Sequence, residues 1–179
     1  MSAGPTILPW KGVWPTIAAD AFVAPNATII GDVQIGAQAS IWFNCVLRGD
    51  VNYIRVGART NIQDGTIVHV ATNDGPTLIG ADVLIGHGAI IHGCTLHDGC
   101  FVGMAATVMD DAVVETGGMV AAGALVGPGK RVPAGQLWAG TPARFMRNLT
   151  PDEVAQMKVQ TDRYVDVAQG YLALPQLKR

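Results

Sequence analysis

The chain has 179 residues, 49% of them apolar and 15% charged, a composition that fits one folded domain and excludes a disordered one. Its net charge of −2, with no Lys/Arg cluster, excludes the electrostatic footprint of a nucleic-acid or anionic-membrane binder. No apolar run approaches the roughly 20 residues that a membrane helix needs.

Met1–Pro5 shows no basic segment leading into an apolar one, so a secretory signal is not expected. From Val23 onward an aliphatic residue recurs every six positions: Val23, Ile29, Ile35, Ile41 and Leu47, then Val56, Ile62 and Val68. The series continues with Ile79, Ile85 and Ile91, and then with Leu96, Val102, Val108, Val114, Val120 and Val126. Small residues often follow four positions later, as at Ala27, Ala39, Cys45 and Ala89, and a glycine often follows the aliphatic directly. A six-residue period is neither helical nor that of an ordinary strand. It fits a coil of short strands, each burying one aliphatic, with Gly, Asn or Asp turning each corner. Three hexads make one triangular coil, and stacked coils lie about 4.8 Å apart.

Three irregularities interrupt the count. Leu47 to Val56 holds three extra residues, Val68 to Ile79 five, and Ile91 to Leu96 is one short. Insertions in a solenoid are expected as corner loops, often on the functional face. Trp138–Arg144 reads as the exit from the coils. Thr150-Pro151-Asp152-Glu153 then reads as an N-cap, a proline in the first turn and a capping-box glutamate. Val154, Met157, Thr161, Tyr164, Ala168 and Tyr171 predict a helix over about 151–170, packed along the coil. The expected organisation is a coil domain over 1–149 and a helix with tail over 150–179.

The register also sorts the four histidines. His69 and His92 are each the second residue of a hexad, and their hexads lie three steps apart. They therefore share a face and a column, one coil apart, pointing outward. His87 is the third residue of the Ile85 hexad, on the preceding face, and His97 lies on the remaining face. A three-histidine site would need His69 and His92 from one subunit and His87 from a neighbour in a threefold trimer. One coil down, Arg48 falls in the column of His69 and His92, with Asp50 two residues on. Asp64 falls beneath His87, with Gln63 beside it.

The phrases Leu47-Arg48-Gly49-Asp50, Asn61-Ile62-Gln63-Asp64-Gly65, His69, and Ile85-Gly86-His87 through His92-Gly93-Cys94 resemble the gamma-class carbonic anhydrase family of hexapeptide-repeat proteins. The resemblance implies an all-β solenoid, a left-handed parallel β-helix with one C-terminal α-helix, assembled as a homotrimer with metal sites between subunits. It implies metal ligation by His69, His87 and His92, with Zn2+ expected and Fe2+ or Co2+ as alternatives. It implies catalytic or supporting roles for Arg48, Asp50, Gln63 and Asp64, with Gln63 orienting water or bicarbonate and Arg48 pairing with a carboxylate across the interface. Three imidazoles leave a fourth metal position open, and the activity implied is reversible hydration of carbon dioxide by a metal-bound hydroxide.

The chain departs from the family where protons leave the site. Val51 stands where some members carry a glutamate, and the short loop 70–76 holds one carboxylate, Asp74. Alternative readings on the same site are acyl-CoA thioester hydrolysis and a metal-stabilised trimer without catalysis. A hexapeptide acyltransferase has no need of the three-histidine register. Tyr164 aligns with a helix tyrosine that lines the site in relatives. Cys45 and Cys100 read as core, and Cys94 as a small corner residue. Three cysteines without CxxC spacing fit free thiols in a reducing compartment, and a cytoplasmic location is expected.

Overall fold

The computed structural model describes residues 4–72 and 75–175. The chain winds into a parallel β-solenoid of short strands, each hydrogen-bonded to its equivalents one coil below and above. One face is a ladder of seven parallel rungs: Phe22–Val23, Ser40–Ile41, Asn61–Ile62, Leu84–Ile85, Phe101–Val102, Met119–Val120 and Gln136–Ala139. The other two faces form one 12-stranded sheet, with the long strands Thr28–Ile35 and Val46–Val56 running round the corner between them.

The hexad accounts for the core. Ile29, Ile41, Leu47, Ile62, Val68, Ile85 and Ile91 are all fully buried, as are Ala27, Ala39, Ala89 and Ala106 four positions on. Each buried aliphatic contributes about 1.5–3 kcal/mol, and the alanines leave room for it at the narrow corner of a triangular coil. From Gly99 onward a positive φ returns every sixth residue, at Ala105, Asp111, Gly117, Gly123, Gly129 and Gly135. These are the corners.

The glycines directly behind the aliphatics serve another purpose. A Cβ on Gly57 or Gly103 would lie 2.4 Å from the backbone of the next coil. They are there because successive coils nearly touch, not because the chain turns. Gly127, in the last complete set of hexads, has nothing within 4 Å of such a Cβ.

The three extra residues after Leu47 do not leave the sheet as a separate loop. Val46–Val56 remains one strand, and its register against Thr28–Ile35 shifts between Gly31 and Val33, where Gly31 opposes Gly49 but Val33 opposes Ile54. The surplus is a bulge carrying residues 50–53. Part of the second insertion, including Asp74, lies outside the described residues.

After Gln136–Ala139 the chain reverses, and Arg144–Asn148 pairs antiparallel with that last rung. The hexad pattern gives no sign of this strand. The helix runs Pro151–Ala173, somewhat longer than expected, with the Thr150–Glu153 capping box formed. It lies along the seven-rung face, burying Met157, Thr161, Val165 and Ala168. Val154 is exposed, contrary to the periodicity, and Val165 takes up the buried stripe instead. Tyr164 stacks edge-on against Trp42 at 5.5 Å, and Tyr171 sits 5.3 Å from Phe22. Arg59 clamps the helix by binding Asp82 at 2.8 Å and Asp162 on the helix. No helix among the described residues is long and apolar enough to cross a membrane.

Candidate metal centre

Parallel pairing of Ile67–His69 with Ile90–His92 sets His69 opposite His92, as the column arithmetic requires. The two ring centroids are 5.1 Å apart, and His69 Nδ1 lies 3.1 Å from His92 Nε2. The remaining nitrogen of each ring is held by a carboxylate. His69 Nε2 lies 3.1 Å from Asp50 Oδ1, and His92 Nδ1 contacts Asp110 Oδ1. Behind the rings the Thr77 hydroxyl donates to the His69 carbonyl and accepts from the Gly93 amide, tying the two histidine strands together.

Asp50 sits on the bulge. Its carboxylate accepts from Arg48 of the same chain, where the sequence suggests a partner across a boundary, and from the Val51 amide at 2.8 Å. Partial burial alone would raise its pKa. The hydrogen bonds from Arg48 and His69, helped by the Val51 amide, outweigh that and hold the carboxyl at about 2. Asp50 is therefore an anion at any pH where the site works.

His87 follows the rung Leu84–Ile85 on the helix-bearing face, away from the first pair. The rung below, Asn61–Ile62, pairs with it in register and brings Asp64 Oδ2 to 2.8 Å from His87 Nδ1. The His87 side chain is 47% exposed. Gln63 is nearly buried and donates its amide to Asn61 Oδ1 at 3.0 Å, so it is fixed rather than swinging at the surface. Asn61 Nδ2 has no partner within the described residues. Within a single chain, and among the described residues, no three His, Cys, Asp or Glu side chains converge on one point. His97 follows Thr95–Leu96 on the third face, apart from the others.

A family model for the bacterial transferase hexapeptide (six repeats) matches residues 15–49. The chain is 55% identical over 160 residues to gamma carbonic anhydrase 2, mitochondrial, of Arabidopsis thaliana, covering 87% of this chain and 58% of that protein. It is 43% identical over 170 residues to a carbonic anhydrase of Geobacillus kaustophilus (strain HTA426), covering 95% of this chain and 93% of that one. The chain belongs to the gamma carbonic anhydrase family.

The chain spans about three-fifths of the length of the plant family members. Among solved structures, a hexapeptide transferase family protein from Anaplasma phagocytophilum superposes with a TM-score of 0.90 at 50% identity, covering 93% of this chain and 98% of that one. The stacked coils and single C-terminal helix of this gamma carbonic anhydrase family member match the left-handed β-helix of hexapeptide-repeat proteins.

On the His87 side, the helix and the seven-rung face flank a half-open cavity of about 750 Å³ lined by Trp42, Phe43, Asp64, Arg163, Tyr164 and Tyr171. Burial, and secondarily the charge of Asp64, raises the Tyr164 phenol, so the group is neutral. The cysteines stay out of the site chemistry. All three are buried, and burial pushes the thiols of Cys45 and Cys94 up to about 12. Cys94, the small corner residue beside His92, is buried in the core.

Asp110 is the residue that the sequence reading missed. Counting one coil down from each histidine finds Asp50 and Asp64. Counting one coil up from Ile91 reaches Val108, and Asp110 is the third residue of that hexad.

Proposed function

We propose that this protein is a metal-dependent gamma-class carbonic anhydrase that catalyses reversible hydration of carbon dioxide as a homotrimer. His69 and His92 of one subunit and His87 of the next would hold one divalent ion, zinc first, with iron(II) or cobalt(II) as alternatives. In this reading, residues 1–149 are the coil domain, with its N-terminal lead-in, that builds the site, and residues 150–179 are the C-terminal helix and tail. Buried free thiols favour a reducing compartment such as the cytoplasm.

The observation that carries the reading is the shared wiring of the three histidines. Each has one ring nitrogen on a carboxylate: His69 on Asp50, His87 on Asp64 and His92 on Asp110. That is the arrangement by which ligating imidazoles are oriented, the opposite nitrogen being left for the metal. Zn–N bonds of about 2.0–2.1 Å in a tetrahedron put ligand nitrogens about 3.3 Å apart. The 3.1 Å between His69 Nδ1 and His92 Nε2 needs only a small widening to reach that edge. The donor set therefore fits the ion.

Assembly is supported by the surface around the pair. Ile67 and Ile90 stand side by side on the same face, 46% and 43% exposed. A subunit contact there would bury this apolar surface and bring in the missing imidazole.

A bound divalent ion supplies Lewis-acid activation of water near neutral pH. The chain's own residues do the rest. Asp50, kept ionised by Arg48, holds the proton on His69 Nε2. Asp64 does the same for His87 Nδ1, and Gln63, pinned by Asn61, offers a fixed amide for orienting water or bicarbonate. The test is metal analysis of anaerobically purified protein together with stopped-flow hydration of carbon dioxide. About one metal per chain and measurable hydration support the proposal; metal-replete protein without hydration overturns the activity.

A second reading, hydrolysis of an acyl-CoA thioester on the same site, is favoured by the cavity beside Asp64. Its volume is in the range that holds drug-sized organic molecules, about 300–1,000 Å³, and carbon dioxide needs far less. Thioester cleavage that depends on His87 and is lost in Tyr164→Trp, with hydration retained, would assign the cavity to an acyl substrate.

A further inference from the structure

We infer that Asp110 is a positioning residue of the metal centre, fixing the His92 ring so that Nε2 alone is presented to the ion. The inference rests on the metal reading above and extends it to a residue outside the family motifs. His92 Nδ1 contacts Asp110 Oδ1, and His92 Nε2 is the nitrogen that faces His69. A carboxylate accepts but cannot donate, so the proton must sit on Nδ1 and the lone pair on Nε2.

The surrounding backbone is built around this contact. Asp110 is one coil above the histidine, and its own carbonyl accepts from the Gly129 amide at 2.8 Å, while the Asp111 amide donates to the Gly93 carbonyl at 2.8 Å. The carboxylate reaches the imidazole across Gly93. A Cβ at Gly93 would lie 2.6 Å from Asp110 Oδ1 and 3.3 Å from the Ala71 Cβ, and Gly93 has φ +53. Two residues are thus matched: an acid that reaches down one coil, and a glycine that leaves the space. Asp110 is partly exposed, with its side chain 40% accessible, so removing its carboxylate leaves the core untouched.

Asp50 and Asp64 are placed by the coil below their histidines, and Asp110 by the coil above its own. The His69/His92 pair is therefore gripped along the solenoid axis from both directions. Loss of Asp110 frees the His92 ring to rotate and to carry its proton on either nitrogen.

The test compares wild type with Asp110→Ala and Asp110→Asn by three measurements: zinc affinity by chelator competition, the His92 tautomer by long-range proton–nitrogen NMR of metal-free protein, and Tm. Partners of this kind contribute about 10–100-fold in metal affinity. The expected result is a loss of that size in Asp110→Ala and a smaller one in Asp110→Asn, whose amide oxygen still accepts the Nδ1 proton. Wild-type His92 is expected as the Nδ1–H form, changing to a mixture in Asp110→Ala, with Tm little altered. Zinc affinity within twofold of wild type in Asp110→Ala overturns the inference while leaving the metal reading standing. Wild-type protein that binds no zinc overturns the metal reading instead, and an unchanged His92 tautomer in metal-free Asp110→Ala overturns the positioning role independently.

Discussion

If each metal is shared between two subunits, two inactive variants can restore one another, and the geometry sets the yield. His69 and His92 are adjacent in one register position, so they fail together, whereas His87 lies on a different face of the solenoid. Consider His87→Ala chains carrying one affinity tag and His69→Ala chains carrying another, dissociated, mixed, reassembled and purified through both tags. Every such trimer is two of one chain and one of the other. Around a cyclic ring either composition has a single boundary at which an intact His69/His92 pair meets an intact His87. The doubly purified material should therefore bind about one zinc per trimer, against about three for wild type and close to none for either variant alone. The control is built into the fold. His69→Ala mixed with His92→Ala should restore nothing, because both ligands must come from the same subunit. Zinc is read by mass spectrometry of the protein after gel filtration, with trimer mass checked by light scattering. Doubly tagged trimers that remain free of zinc would refute the sharing of ligands, and restoration in the His69/His92 control would refute the assignment of those two to one half-site.

Gly31→Ala should destabilise the protein severely: Gly31 has φ +76, and its Cβ would lie 2.1 Å from the Gly49 carbonyl oxygen. Strained backbone of this sort costs about 1–3 kcal/mol before the clash is counted, so a thermal melt should show Tm falling by at least several degrees. Glu153 is held at about 2 by Arg147 first and by the Thr150 amide next. Because its folded pKa is depressed, its contribution is complete above about 4.5 and is lost as pH falls toward 2. Glu153→Gln should flatten that part of the acid-unfolding curve followed by far-UV circular dichroism. Val51, 51% exposed beside Asp50, cannot carry a proton. Hydration of carbon dioxide should therefore be slow in dilute buffer and rise with imidazole concentration, and a rate already independent of buffer would point to an internal proton path. Val51→Glu should raise the weak-buffer rate without changing zinc content, proton-transfer groups contributing about 10²–10⁴-fold when well placed.

The solenoid was legible because its core is one-dimensional: one aliphatic per six residues fixes which positions point inward, and position within the hexad fixes the column. That arithmetic is enough to set His92 over its partner His69 and Asp64 under His87. It fails where contact depends on the reach of a side chain rather than on register. Asp110 touches a histidine one coil down and one residue back, made accessible only by the missing Cβ of Gly93. It also misjudges the helix, where Val154 is exposed and Val165 joins Met157, Thr161 and Ala168 in the buried stripe. The reversed strand 144–148 left no trace in the periodicity, since it buries none of its five residues.

That strand has a consequence for the molecule as a whole. A stack of parallel rungs has no inherent length, and an open last coil would present unpaired backbone to any other coil in solution. Here Arg144–Asn148 runs against Gln136–Ala139, while Leu125 donates to the Gly140 carbonyl and accepts from the Ala143 amide. The last rung is thereby covered by chain running in the opposite direction, and Leu125 is covered by the turn that leads into it. On that face a further parallel coil has no matching rung to extend, so the reversed strand breaks the repeat that axial stacking would need.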